Sequence, residues 1–244
     1  MRESERCVMI TGAAGALGRA VARAFAAEGA RLVLVARSAA ALHEAFGESA
    51  SGDESPGRGD ARQRFVAADL RDAEAAQAAA RTAIDAFGRI DVLCNLAGAF
   101  RMGTPVHETS DADWDFLFDA NVRTMRNACR AVVPRMLAAG GGRIVNVGAF
   151  AARRGVAGMG AYVAAKAAVE RLTEAMSAEL RERNVNVNCV LPSVLDTPQN
   201  RAAMPRGDRS RWVDPADLAA VVVFLASERA RAVHGASLPV TGLA

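Results

Sequence analysis

The chain has 244 residues, 51% of them hydrophobic and 23% charged, enough apolar content to fill the core of one large domain and too much for a disordered chain. Thirty basic residues against twenty-seven acidic ones leave a net charge of only +3, with the arginines scattered, which speaks against nucleic-acid binding. The longest apolar runs, such as 219–226, are far shorter than the roughly 20 residues of a membrane span, and residues 1–6 are too polar to open a signal peptide. The expectation is a soluble, cytoplasmic, single-domain protein spanning 1–244. Cys7, Cys94, Cys129 and Cys189 each lie in an apolar stretch without metal-ligand spacing and read as buried free thiols.

Short β-branched runs at 7–11, 31–36, 64–67, 91–94, 143–147, 185–191 and 236–240 alternate with alanine-rich helical patterns. Apolar residues at helical spacing, Leu17, Val21 and Phe25 first and Val169, Leu172 and Met176 later, let each helix cover one face of a sheet. The prediction is α/β: a Rossmann-type doubly wound parallel sheet of about seven strands with helices on both faces. Its ligands belong beyond the carboxyl ends of the strands. Residues 47–60 (GESASGDESPGRGD) read as a mobile surface loop, and no internal repeat is found.

Directly after the first strand the chain runs Thr11-Gly12-Ala13-Ala14-Gly15-Ala16-Leu17-Gly18 and enters an amphipathic helix. Glycines there permit a tight turn and the approach of a pyrophosphate to free helix amides, so Gly12, Ala14, Gly15, Leu17 and Gly18 are candidate dinucleotide contacts; a purely steric turn is the alternative. The second strand ends at Arg37 rather than at a carboxylate. A guanidinium suits a ribose 2′-phosphate, which points to NADP(H) over NAD(H), against a solvated surface arginine.

Lys166 is the only lysine and Tyr162 the only tyrosine, four residues apart in Tyr-Val-Ala-Ala-Lys. On a helix they share a face, and an adjacent ammonium would favour the ionised phenol and equip it for acid/base exchange with a substrate oxygen. The helical region 111–137 carries a stripe of Trp114, Phe118, Val122, Met125 and Cys129, with Asn121 beside it as a polar group that needs a partner.

In this order the motifs resemble the short-chain dehydrogenase/reductase family from Cys7 to about Gly242. The resemblance implies that Asp69 and Leu70 flank the adenine, that Ala97 and Gly98 of Asn95-Leu96-Ala97-Gly98 line the nicotinamide side, and that Asn95 steadies the central strands. It also implies that Asn121 joins Tyr162 and Lys166 as a catalytic residue through a water-linked proton path. Pro192-Ser193-Val194-Leu195-Asp196-Thr197 is similar to the family's carboxamide-holding segment, giving roles to Val194, Leu195 and Thr197. A small-molecule substrate and a homodimer or homotetramer, packed through the Tyr162 helix and the one before it, follow from the same likeness.

Three positions depart from the family pattern: Ala16 stands where glycine is usual, Ser193 replaces a glycine, and Ala149 occupies the place of the catalytic serine. Removing such a preorganised donor typically costs on the order of 10² to 10³ in rate. Gly15-Ala16-Leu17-Gly18 and Leu195-Asp196-Thr197-Pro198-Gln199-Asn200-Arg201, then Met204-Pro205, with no serine before the tyrosine, further resemble quinonoid dihydropteridine reductases. That branch carries an acidic residue where this chain has Arg37. A catalytically weak cofactor-binding protein is the remaining alternative. Arg153, Arg154, Arg206, Arg209 and Arg211 read as solvated rather than substrate-binding, and His43, His107 and His234 form no ligand motif.

Overall fold

The computed structural model describes residues 5–47 and 62–243. Seven parallel strands form one sheet in the order β3-β2-β1-β4-β5-β6-β7. They are β1 (Cys7–Thr11), β2 (Arg31–Ala36), β3 (Gln63–Ala67), β4 (Val92–Asn95), β5 (Gly142–Val147), β6 (Val185–Pro192) and β7 (Ser237–Val240). Each predicted strand is present, displaced by at most one residue at either end. Apart from Gly47, the polar segment 47–60 lies outside the described residues.

The helices are α1 (Ala16–Ala27), α2 (Ala39–Phe46), α3 (Ala73–Phe87), α4 (Asp111–Phe118), α5 (Thr124–Ala138), α6 (Gly160–Leu180), α7 (Pro198–Ala203) and α8 (Pro215–Ala226). Because strand side chains alternate, the sheet feeds two cores. Val8, Ile10, Leu32, Leu34 and Val145 pack with Val21 and Phe25 of α1, Leu42 of α2 and Leu218 and Val222 of α8. Met9, Val33, Leu93, Ile144 and Val187 pack with Ala80 of α3, Val132 of α5 and Val169 of α6 on the other face. Strand order reverses between β1 and β4, so the crevice at their carboxyl ends is where a doubly wound sheet binds its ligand. All four cysteines are buried and free, and no helix among the described residues is long and apolar enough to cross a membrane.

The helical region 111–137 differs from the sequence reading. A π-helical turn, Asp119–Arg123, separates α4 from α5. It changes which residues face inward: Leu117, Asn121 and Met125 are buried, whereas Trp114 is 40% exposed and stacks on Phe118. A single-period reading misses this, because a wider turn shifts the phase of everything before it.

Candidate active site

Thr11 closes β1 by binding the end of β4: its hydroxyl accepts from Leu96 N (3.0 Å) and Ala97 N (3.1 Å) and donates to Cys94 O (3.4 Å). The two segments are thereby drawn so close that a Cβ on Gly12, whose φ is +66°, would lie 2.8 Å from Ala97 N. A Cβ on Gly18 would lie 2.4 Å from Gly12 O. Only glycine fits at either position. Ala16 takes the first helical position of α1, and Gly15 before it has extended backbone and caps the helix with no side chain. The first amides of α1 therefore face the turn uncapped, a cradle that fits a pyrophosphate. Ala14 and Leu17 are half-buried on its rim.

Arg37 is exposed at the carboxyl end of β2. Arg71 donates from Nε to Asp69 Oδ1 (3.0 Å) and from Nη2 to Asp69 Oδ2 (2.5 Å) and holds that acid below the usual carboxylate range, with Arg37 adding to the field. Leu70 is buried in the core, and its carbonyl accepts from Asn127 Nδ2 at 2.9 Å. Leu70 can thus offer the crevice its backbone only, and Asn127 on α5 fixes that backbone.

Asn95 is also buried. Its amide donates to Asn146 Oδ1 (2.8 Å), and Asn146 donates to Thr173 Oγ1 (2.8 Å), so β4, β5 and α6 are laced together. This fits the strand-steadying role, while the buried Asn95 Oδ1 has no hydrogen-bond partner among the described residues. Asn127, Asn146 and Thr173 belong to no motif of the sequence analysis; only Asn146, a polar residue inside the apolar run of β5, carries a local signal.

Two of the three catalytic candidates, Asn121 and Lys166, meet at Gly98. A Cβ there would stand 2.7 Å from Asn121 Oδ1 and 3.4 Å from Lys166 Nζ, so the amide and the ammonium flank that glycine. Asn121 projects from the π turn, its Nδ2 donating to Leu117 O and to Ala99 O (both 2.9 Å) while Oδ1 accepts from Ala99 N (3.2 Å). Lys166, 6% exposed on α6, donates to Val147 O at 2.8 Å. Burial pushes the Lys166 ammonium down to about 8 and the Tyr162 phenol up to about 12. The expected acidification of the phenol is thus absent from this geometry: Lys166 is engaged by Val147, and desolvation governs Tyr162.

Ala149 is buried at the end of β5, before a 3₁₀ turn at Phe150–Arg153, and its methyl offers no donor. Ser193 donates to Thr241 O at 2.8 Å, tying down the chain after β7, which accounts for a side chain where the family has glycine. Val194 O accepts from Val213 N (2.9 Å), and Leu195 O accepts from Asn200 Nδ2 (2.8 Å). Thr197 caps α7 by accepting from Asn200 N at 3.2 Å, which leaves its hydroxyl proton free to donate. A cleft of about 220 Å³ opens beside Tyr162, with Arg101, Met102, Asp113 and Leu117 in its wall.

A family model described as short chain dehydrogenase matches residues 6–206. The chain is 38% identical over 246 residues to D-threitol dehydrogenase of Mycolicibacterium smegmatis, covering 97% of this chain and 92% of that protein. It is 38% identical over 250 residues to the L-tagatose-forming galactitol 2-dehydrogenase of Cereibacter sphaeroides, covering 97% and 93%. Among solved structures, levodione reductase superposes with a TM-score of 0.86 at 30% identity, covering 98% of this chain and 96% of that one. The 3-ketoacyl-(acyl-carrier-protein) reductase of Brucella melitensis, complexed with NADH, gives 0.85 at 29% identity, covering 97% of each. With its seven-stranded Rossmann-type sheet, the chain belongs to the short chain dehydrogenase family and is a nicotinamide-dependent oxidoreductase.

Proposed function

We propose that the protein is an NADP(H)-dependent enzyme interconverting a small carbonyl compound and its alcohol. The observation that carries this reading is the meeting of Asn121 and Lys166 around Gly98, with Tyr162 one helical turn before Lys166. When bound, the nicotinamide dinucleotide supplies or accepts the hydride. Gly12, Ala14, Gly15, Leu17 and Gly18 would hold its phosphates, Arg37 the 2′-phosphate, and Asp69 with the Leu70 backbone the adenine. Ala97, Gly98, Val194, Leu195 and Thr197 would hold the nicotinamide end, and Lys166 its ribose.

Tyr162 is the general acid/base. In reduction its phenol gives a proton to the substrate oxygen; in oxidation it takes one back. Burial holds the phenol weak, and the reading requires Lys166, one helical turn away, to offset that by stabilising the phenolate when the dinucleotide is bound. Asn121 fixes the loop at Ala99 and completes the path by which the proton is replaced. Relatives named for dehydrogenation of D-threitol and galactitol support the alcohol and carbonyl class. A homodimer or homotetramer packed through α6 and the helical region before it belongs to the same reading, and four free thiols support a cytoplasmic location.

Turnover of a panel of ketones and secondary alcohols with both nicotinamides tests the reading. Tyr162→Phe is expected to lower kcat by about 10²- to 10⁴-fold while dinucleotide affinity survives; an unimpaired variant overturns the mechanism. The Ala149 methyl favours a second reading, reduction of quinonoid dihydropterin, whose conjugated ring needs one proton donor only. Including that acceptor in the panel decides between the two.

A further inference from the structure

Phe100 stands two residues beyond Gly98, and its ring meets that of Tyr162 edge to face, at 90° with centroids 4.8 Å apart. It is nevertheless 54% exposed. Core packing therefore does not account for it: half of a large apolar ring lies in water against the phenol assigned to proton transfer. The loop that carries the ring is also anchored. Asn121 binds both the N–H and the carbonyl of Ala99, and Gly103 N donates to Gly158 O at 2.8 Å, so the loop is fixed on either side of Phe100. Val106 closes the same loop onto α6 so tightly that a Cβ on Gly160 would lie 2.4 Å from Val106 Cγ2.

The wall of the cleft beside Tyr162 mixes apolar groups with the hydroxyls of Thr104 and Thr109. Among the described residues lining the cleft beside Tyr162, the charged ones are Arg101 and Asp113, and these pair with each other. The Arg101 guanidinium also lies 3.7 Å from the centre of the Phe116 ring, so its charge is doubly engaged. Position 149 presents a methyl in place of a hydroxyl. Met102, 61% exposed, and Phe150, 40% exposed, extend the apolar surface at the carboxyl ends of β4 and β5. A flat ring would gain aromatic contact that a linear polyhydroxylated chain cannot make, and its conjugation would spread the charge that a single proton donor must meet.

We propose that Phe100 is a specificity-determining residue that positions the Tyr162 ring and selects flat, uncharged, cyclic conjugated ketones over linear polyhydroxylated ones. The proposal rests on the oxidoreductase reading above. In the reaction the substrate's carbonyl carbon gains a hydride from the reduced nicotinamide and its C–O π bond breaks. Its oxygen takes the Tyr162 proton, which solvent replaces, so the ketone is reduced and the nicotinamide oxidised.

The test compares reduction of 2-cyclohexen-1-one and of linear erythrulose by the native protein, Phe100→Leu and Phe100→Tyr. The native protein is expected to favour the cyclic ketone in kcat/KM by at least about tenfold, with Phe100→Leu removing most of that preference through KM and Phe100→Tyr keeping it. Because Tyr162 is the only tyrosine, ¹³C-tyrosine labelling yields a single ring spectrum. Its ring-current shift is expected to disappear in Phe100→Leu. A preference for erythrulose, or a ratio unmoved in Phe100→Leu while the Tyr162 signals do shift, overturns the proposal and leaves the oxidoreductase reading standing. Failure of both ketones with both nicotinamides overturns the two together.

Discussion

Lys166, the only lysine in a chain that otherwise uses arginine for positive charge, occupies a position with 6% exposure. An arginine could not titrate near neutrality there, whereas burial brings the lysine down to about 8. Its spacing from Tyr162 is legible in the sequence, since it needs only the helical period. The direction in which the phenol shifts is not, because desolvation depends on everything packed around the ring. Arg37 is a second residue-scale question. Arg37→Ser is expected to lower the ratio of kcat/KM for NADPH over NADH by roughly 10- to 100-fold, the worth of a hydrogen bond to a charged phosphate. An unchanged ratio would remove Arg37 from the cofactor site.

At the scale of elements, the glycine turn shows how composition and geometry part company. Three glycines look alike in Thr11 to Gly18, but a Cβ at Gly18 would strike the Gly12 and Ala13 carbonyls at 2.4 and 2.5 Å, whereas Gly15 would meet its nearest atom at 3.3 Å. Gly18→Ala is expected to cost about 1–3 kcal/mol in urea unfolding and to weaken dinucleotide binding. Gly15→Ala is expected to change both far less, and equal losses in the two variants would contradict the close packing of α1 on β1. The π turn behaves similarly. That Asn121 is a polar group in a buried stripe is visible from its neighbours, but the local widening that aims it at Gly98 is not encoded in any period a helix would show. Asn95, Asn146 and Thr173 likewise become one ladder only when β4, β5 and α6 come together.

For the whole molecule, the buried thiols govern alkaline stability. Burial pushes Cys7, Cys129 and Cys189 up to about 12 and Cys94 upward as well. In the unfolded chain a thiol ionises near about 8.5, so above that pH the folded state holds more protons. Stability then falls as pH rises, by about 1.4 kcal/mol per pH unit for each thiol. Lys166 acts in the opposite sense. It loses its proton near 8 when folded but above 10 when unfolded, so between those values it favours folding at higher pH. Four thiols outweigh one ammonium, and urea midpoints are expected to drop steeply between pH 9 and 10, less steeply in Cys94→Ala. A flat profile there would show that the thiols ionise inside the fold.

The alternation of apolar runs and helical periods by itself determined the parallel sheet and the succession of its strands and helices along the chain, and the four-residue spacing put Tyr162 and Lys166 on one helix face, because each depends on neighbours within a few residues. Only the tertiary structure decided that Asn121 and Lys166 flank Gly98, that Leu70 and Asn95 turn inward, and that Phe100 lies against Tyr162. Those relations join residues tens of positions apart, and their distances are set by how two cores pack against one twisted sheet.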